Sequence, residues 1–138
     1  FRNTLKQLKK AKQGGKDIKY FFGYCNLTFD LWILLHKGDA KSIDHRKKYV
    51  DGLNRAYHET FSDMSDFKHE DNFKRCLSKL RIDDVKKAIT RAKKIMTKNE
   101  ELGYTELEYC GYHYYRENPS LAIWEIIEKI LIIFIYKA

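Results

Sequence analysis

Apolar side chains recur along most of this chain every three or four residues, the period of an α-helix with one buried face. Residues 1–13 place Leu5 and Leu8 on such a face. Gly14-Gly15 breaks the pattern, and Asp17 supplies an N-cap for the next segment. The spacing predicts a second helix over 18–37, with Gly38 as the residue that ends it. Its polar positions, Lys19, Asn26, Asp30 and Lys37, fall on one narrow stripe, and nearly everything else is large and apolar. A helix with so thin a wet face belongs in the middle of a bundle.

A third helix is predicted over 40–61, where Ile43, Val50 and Tyr57 recur in heptad register and Leu53 and Phe61 widen the same face. Residues 62–66 are rich in turn and cap side chains. A helix over 67–80 carries Phe67, Phe73, Leu77 and Leu80. Asp83 and Asp84 suit the positive end of the next helix, over 83–102, which Gly103 closes. Thr105-Glu106-Leu107-Glu108 fits the S/T-x-x-E capping box and predicts a further short helix. Asn118-Pro119 reads as an N-cap followed by proline at N1, opening a final helix over 119–137.

That last helix is amphipathic at first. Glu125, Glu128 and Lys129 share a stripe, with Glu125 and Lys129 spaced as a favourable i,i+4 pair. It then becomes apolar all round, from Ile130 to Tyr136. Such a run is either the innermost end of the bundle or a surface that a partner covers, and the first is preferred. The expected fold is all-α: an irregular bundle of six to seven helices with two nearly all-apolar central helices, over 18–37 and 119–137. At 138 residues the chain is read as one domain over 1–138, whole or an excised part of a longer protein that starts here at Phe1. Neither apolar stretch spans a bilayer: Asn26 and Asp30 interrupt one, and seven residues are too few in the other.

Charge changes this picture. The net charge is +8 and the pI about 9.3, which permits binding to nucleic acid, anionic lipid or an acidic protein. It is unevenly placed. Residues 1–16 hold six basic groups and no acidic one, and residues 74–98 hold ten against two. Residues 99–128 then hold seven acidic groups and one basic. A basic helix followed by an acidic hairpin is also what two mutually neutralising neighbours would look like.

The strongest candidate surface is the outer face of the helix over 83–102. Lys87, Arg91, Lys94 and Lys98 cluster opposite Val85, Ala92 and Met96, with Lys86 and Lys93 in a second row. Lysines there can track phosphates as point charges, and Arg91 can make a bidentate contact. Lys9, Lys10 and Lys12 of the N-terminal segment are candidates for the same patch. A solvated amphipathic helix would show the same pattern. The tyrosines around 104–115 stand among glutamates, which disfavours a phosphate backbone. Tyr109, Tyr112 and Tyr115 are therefore assigned to a protein partner or a second copy of the chain, with core packing as the alternative.

Chemistry of other kinds is not legible. Cys25, Cys76 and Cys110 are odd in number and widely spaced, so a reducing, cytoplasmic setting is expected. No zinc spacing, P-loop or nucleophile elbow occurs in the sequence, and no cofactor or metal is expected. Asp66 and His69 make a single D-x-x-H where a di-metal bundle needs two. The R-x4–6-H of HEPN-type ribonucleases is missing. Residues 92–118, with Asn99-Glu-Glu-Leu-Gly-Tyr-Thr-Glu-Leu-Glu-Tyr109, resemble a segment in the C-terminal helical region of type I restriction motor subunits. Over that stretch the resemblance implies a non-catalytic helical module that helps a motor subunit dock on DNA, and no family is assigned from it. The sequence thus points to a non-enzymatic helical module contacting nucleic acid or a nucleoprotein complex through a basic helix face. The alternative is a protein-interaction or oligomerisation domain using the tyrosines and the apolar C-terminal helix.

Overall fold

The computed structural model describes residues 1–10, 12–13, 16–17, 20–40 and 45–136, with only the backbone at 12, 13, 16, 17 and 136. The described residues are mostly helical, with seven helices and six short strands in antiparallel pairs. The expectation of a purely all-α chain is corrected by those strands. Gly14, Gly15, Lys19 and Ile43 lie outside the described residues, as does the Asp17 side chain.

Helix α1 (Arg2–Lys10) buries Leu5 and leads to the ladder of β1 (Lys12–Gln13) with β2 (Lys16–Asp17). The predicted helix over 18–37 is not helical in the first part of its described residues. Residues 20–24 run extended into β3 (Cys25–Asn26), and helix α2 (Asp30–Lys37) starts only afterwards. The reason is a period of two hidden in an all-apolar run. Phe22 and Tyr24 stack on one side, 5.5 Å between ring centroids. On the other side Phe21 lies under the Lys129 ammonium and Cys25 packs on the core. Gly23 approaches the last helix so closely that a Cβ would stand 2.8 Å from Ile126 Cδ1. A helix could not present both sets.

Helix α2 is the centre of the molecule, packed on α3 (Lys47–Tyr57) and α6 (Ile82–Glu101). Leu31, Leu34 and Leu35 are almost wholly buried, and each such side chain contributes about 1.5–3 kcal/mol. Polar ties fix α2 at both ends. Asp30 accepts from Thr28 Oγ1 at 3.0 Å and pairs with Lys68 at 3.3 Å. Tyr57 donates to the Ile33 carbonyl at 2.6 Å, and Lys37 donates to Asp84 at 2.8 Å. Asp84, held below the usual carboxylate range by that lysine, also accepts from the Arg81 backbone N–H at 3.0 Å, which caps α6.

The short helices α4 (Met64–Lys68) and α5 (Glu70–Ser78) divide what the pattern predicts as one helix over 67–80. Asp63 caps α4 by accepting from Asp66 N–H at 2.8 Å, and Phe67 seals it against Phe61 and Phe73. At the end of α3, Glu59 accepts from Arg75 twice at 2.9 Å and from Lys79 at 2.7 Å. Those hydrogen bonds hold its carboxyl down to about 2.

The capping box at 105–108 is not a helix start. Residues 107–114 form a hairpin of β4 (Leu107–Tyr109) and β5 (Tyr112–Tyr114). Its two-residue turn, Cys110-Gly111, takes positive φ at both positions, as a type I′ turn requires. Cys-Gly is not a usual sequence signal for that turn. Beyond it, β6 (Ser120–Leu121) pairs with β3, so Pro119 is not at N1. The last helix, α7, spans Ile123–Tyr136 and starts four residues later than predicted.

Helix α7 is not central, which overturns the preferred reading of its apolar run. Ile123, Trp124, Ile127 and Leu131 face the core. Ile130, Ile132, Ile133, Phe134 and Ile135 are exposed, Phe134 at 71%. The predicted Glu125–Lys129 pair gives way to others. Glu128 bonds Lys93 across to α6, and Lys129 sits 4.1 Å above the Phe21 ring. No helix among the described residues is long and apolar enough to cross a membrane.

Candidate nucleic-acid interface

Helix α6 buries Ala88, Ile89 and Ala92 and turns its lysines outward, as the wheel predicts. Lys86, Lys87, Lys93, Lys94 and Lys98 all reach the surface. They are not equivalent. Lys93 bonds Glu128 at 2.5 Å and lies over the Trp124 ring, so it ties α6 to α7. Lys86 stands 3.7 Å from Asp83 on its own helix. Among the described residues Lys87, Lys94 and Lys98 make no ion pair. These three share one stripe of α6, about 16 Å long at 1.5 Å per residue.

Arg91 lies on the same side but turns its guanidinium inward. It donates to the Leu35 carbonyl at 2.7 Å, at the C-terminal end of α2, and its Nε stands 3.6 Å from Asp39. A cation there satisfies an orphan carbonyl and suits the negative end of the α2 dipole. Nη1 is thus engaged by the protein itself, and Arg91 is less free than the lysines of the row. Arg75 and Lys79, from the same basic stretch, are held by Glu59.

The N-terminal lysines have a different setting. Phe1 packs edge-on against Tyr114, Arg2 lies 5.2 Å over Tyr109, and Lys9 Nζ reaches the Gly111 turn. Helix α1 therefore leans on the acidic hairpin, with Lys9 and Lys10 exposed. The Lys12 side chain lies outside the described residues.

The three predicted tyrosines all make contacts within the molecule. Tyr115 is 9% exposed, and burial pushes its hydroxyl up. Tyr112 packs edge-on against Phe22, and Tyr109 is half-buried under Arg2. The hairpin, α1 and residues 20–24 form a small aromatic core of their own.

The polar stripe expected at 18–37 is dispersed. Asn26 donates from β3 to the carbonyls of Arg116 at 2.7 Å and Glu117 at 3.1 Å, while Asp30 and Lys37 have separate ion-pair partners. Asp66 caps and accepts within the 62–72 region, bonding Ser62 N–H and Asn72. Among the described residues no group of three His, Cys, Asp or Glu side chains is placed to hold a metal ion. Burial pushes the Cys25 thiol up to about 12, which keeps it protonated and unreactive.

Sequence reasoning missed a cleft. Beside Lys94 and Lys98 lies a depression of about 290 Å³ between α6, the turn after α2 and residues 118–119. Leu35, Ile95, Leu102 and Pro119 give it apolar walls, with Tyr104 and Asp39 among its lining. Gly103, at φ +72°, turns the chain back after α6. Gly103 N–H donates to Glu100 O at 2.9 Å and Tyr104 N–H to Asn99 O at 3.1 Å, a Schellman closure that fixes Tyr104 beside the cleft. The Gly103 signal was legible. That Asp39 and Pro119 would meet it was not, because both arrive from distant parts of the chain.

These features define a mostly helical chain with one long helix that, among the described residues, presents unpaired lysines beside an amphipathic cleft. The chain belongs to the family of RloB-like proteins, whose family model matches residues 1–130. Comparison with curated proteins returns no match. Comparison with solved structures returns none either.

Proposed function

We propose that this domain is a non-enzymatic module that contacts nucleic acid, alone or in a nucleoprotein complex, through the outer face of α6. The observation that carries this reading is the row Lys87, Lys94 and Lys98, three ammonium groups with no carboxylate at ion-pair distance among the described residues. Arg75, Lys79 and Lys93 of the same basic stretch are each held by a carboxylate. The three of the row instead face water over about 16 Å. That length matches about five steps of a strand at ~3.4 Å each. Lys86 adds charge at one end, Lys93 contributes only if it leaves Glu128, and Arg91 supports the row from behind. Lys9, Lys10 and Lys12 belong to a second, separate basic segment in this reading.

Fluorescence anisotropy with labelled oligonucleotides at low and moderate salt tests it. Three phosphate contacts predict a slope of about −2 in log affinity against log salt for a single strand. The Lys87/Lys94/Lys98→Glu triple variant, checked for folding by circular dichroism, should abolish binding. No binding at low salt, or binding that the triple variant leaves unchanged, would falsify the reading.

A second reading rests on a different surface. The apolar end of α7, with Ile132, Ile133, Phe134 and Ile135 each half-exposed or more, suits a protein partner or a second copy of this chain. Tyr109 and Tyr112 are the tyrosines that such an interface could add. Light scattering across a concentration series checks self-association, which a Phe134→Asp variant should reduce. A monomer at every concentration removes the second-copy version.

A further inference from the structure

We infer that the cleft beside Lys94 and Lys98 receives one unpaired base of a single strand, so that the domain prefers single-stranded to duplex nucleic acid. This rests on the nucleic-acid reading of α6 and adds a substrate class to it. Two of the three unpaired lysines, Lys94 and Lys98, belong both to the open row and to the cleft lining. A backbone held by the row would therefore have its bases within reach of the cleft.

The interior suits a flat heteroaromatic ring more than a phosphate. Its walls at Leu35, Ile95, Leu102 and Pro119 are apolar, and its volume of about 290 Å³ is at the small end for an organic ligand. Tyr104 is 40% exposed and held by the Schellman closure, so its ring is available for stacking. Stacking on an aromatic side chain is tolerant of sequence, because every base has a π-face. The Asp39 carboxylate, 3.6 Å from Arg91, belongs to the lining and can accept from an exocyclic amino group. The exposed Lys94 and Lys98 are left for the backbone, while an acceptor and apolar walls of the same lining are left for the base. In a duplex the bases are paired and stacked, and none can enter.

The test compares labelled oligodeoxycytidine, whose bases carry an exocyclic amino group, with a duplex of equal length, using the intact chain and the Tyr104→Ala and Tyr104→Phe variants. Tyr104→Ala should weaken the single strand by about 5- to 160-fold, the range for loss of one stacked base, and leave the duplex unchanged. Tyr104→Phe, which keeps the ring, should restore single-strand affinity. Equal affinity for both strands in the intact chain overturns the inference. So does an equal loss for both in Tyr104→Ala, or none for either. In those cases binding that is still lost in the Lys87/Lys94/Lys98→Glu variant leaves the α6 reading standing. Absence of all binding at low salt sinks both.

Discussion

Helices α2 and α7 are written in nearly the same alphabet and live in opposite surroundings. Residues 31–35 are Leu-Trp-Ile-Leu-Leu, and residues 130–135 are Ile-Leu-Ile-Ile-Phe-Ile. The first five are 5% exposed or less, whereas Ile133 and Phe134 are 52% and 71% exposed. Hydrophobicity says that a segment gains by leaving water, not which neighbours will cover it. Helix α2 is covered because α3 and α6 both pack on it, and because Tyr57, Arg91 and Asp84 reach it with hydrogen bonds or ion pairs. Helix α7 meets the core along one face, at Ile123, Trp124, Ile127 and Leu131, with Ile126 against Gly23.

The contrast should be largest in stability. Leu35→Ala opens a cavity under α6 and should cost about 2–5 kcal/mol in chemical denaturation. A loss below about 1 kcal/mol would place α2 outside the core.

A smaller and pH-dependent effect belongs to His36, also on α2. Its ring is buried against Trp32, with Nδ1 2.8 Å from the Trp32 carbonyl, and burial holds its pKa below the ordinary value. The neutral ring is the folded form. This contribution is complete above the unfolded pKa of about 6.5 and is lost as pH falls through and below it, because the unfolded chain takes up the proton first. Thermal melts between about pH 7 and pH 5 should show a decline that His36→Gln flattens. An identical decline in both proteins would assign it to other groups.

The smallest stability change should come from α7. Ile133→Ser with Phe134→Ser removes side chains that already face water, and should alter unfolding free energy by about 0.5 kcal/mol or less per site. A large loss would mean that this end is covered in solution, as a self-associated form would require.

Much of the helical content was legible. The helix over 83–102 appears at Ile82–Glu101, because its apolar face, its aspartates and its terminal glycine all agree. Legibility failed where signals conflicted or were silent. The run at 20–24 is apolar on both faces, so periods of 2 and 3.6 fit it equally until Tyr112 and α7 arrive to claim alternate residues. Residues 105–108 have the make-up of a capping box, but Cys110-Gly111 folds the chain into a hairpin. In the candidate site, the outward lysines of α6 followed from the wheel. The inward turn of Arg91 did not, since nothing local announces that the Leu35 carbonyl will lie within 2.7 Å.

The sequence by itself determined that the chain is basic, mostly helical and rich in apolar surface that must be shielded, and it placed the lysines on one side of α6. Those properties are local: composition, spacing and end signals act within a few residues. Only the tertiary structure decided which lysines stay unpaired, which apolar helix is central and where a cleft opens. Each of those depends on groups brought together from distant positions, as Glu128 is to Lys93 and Pro119 to Lys98.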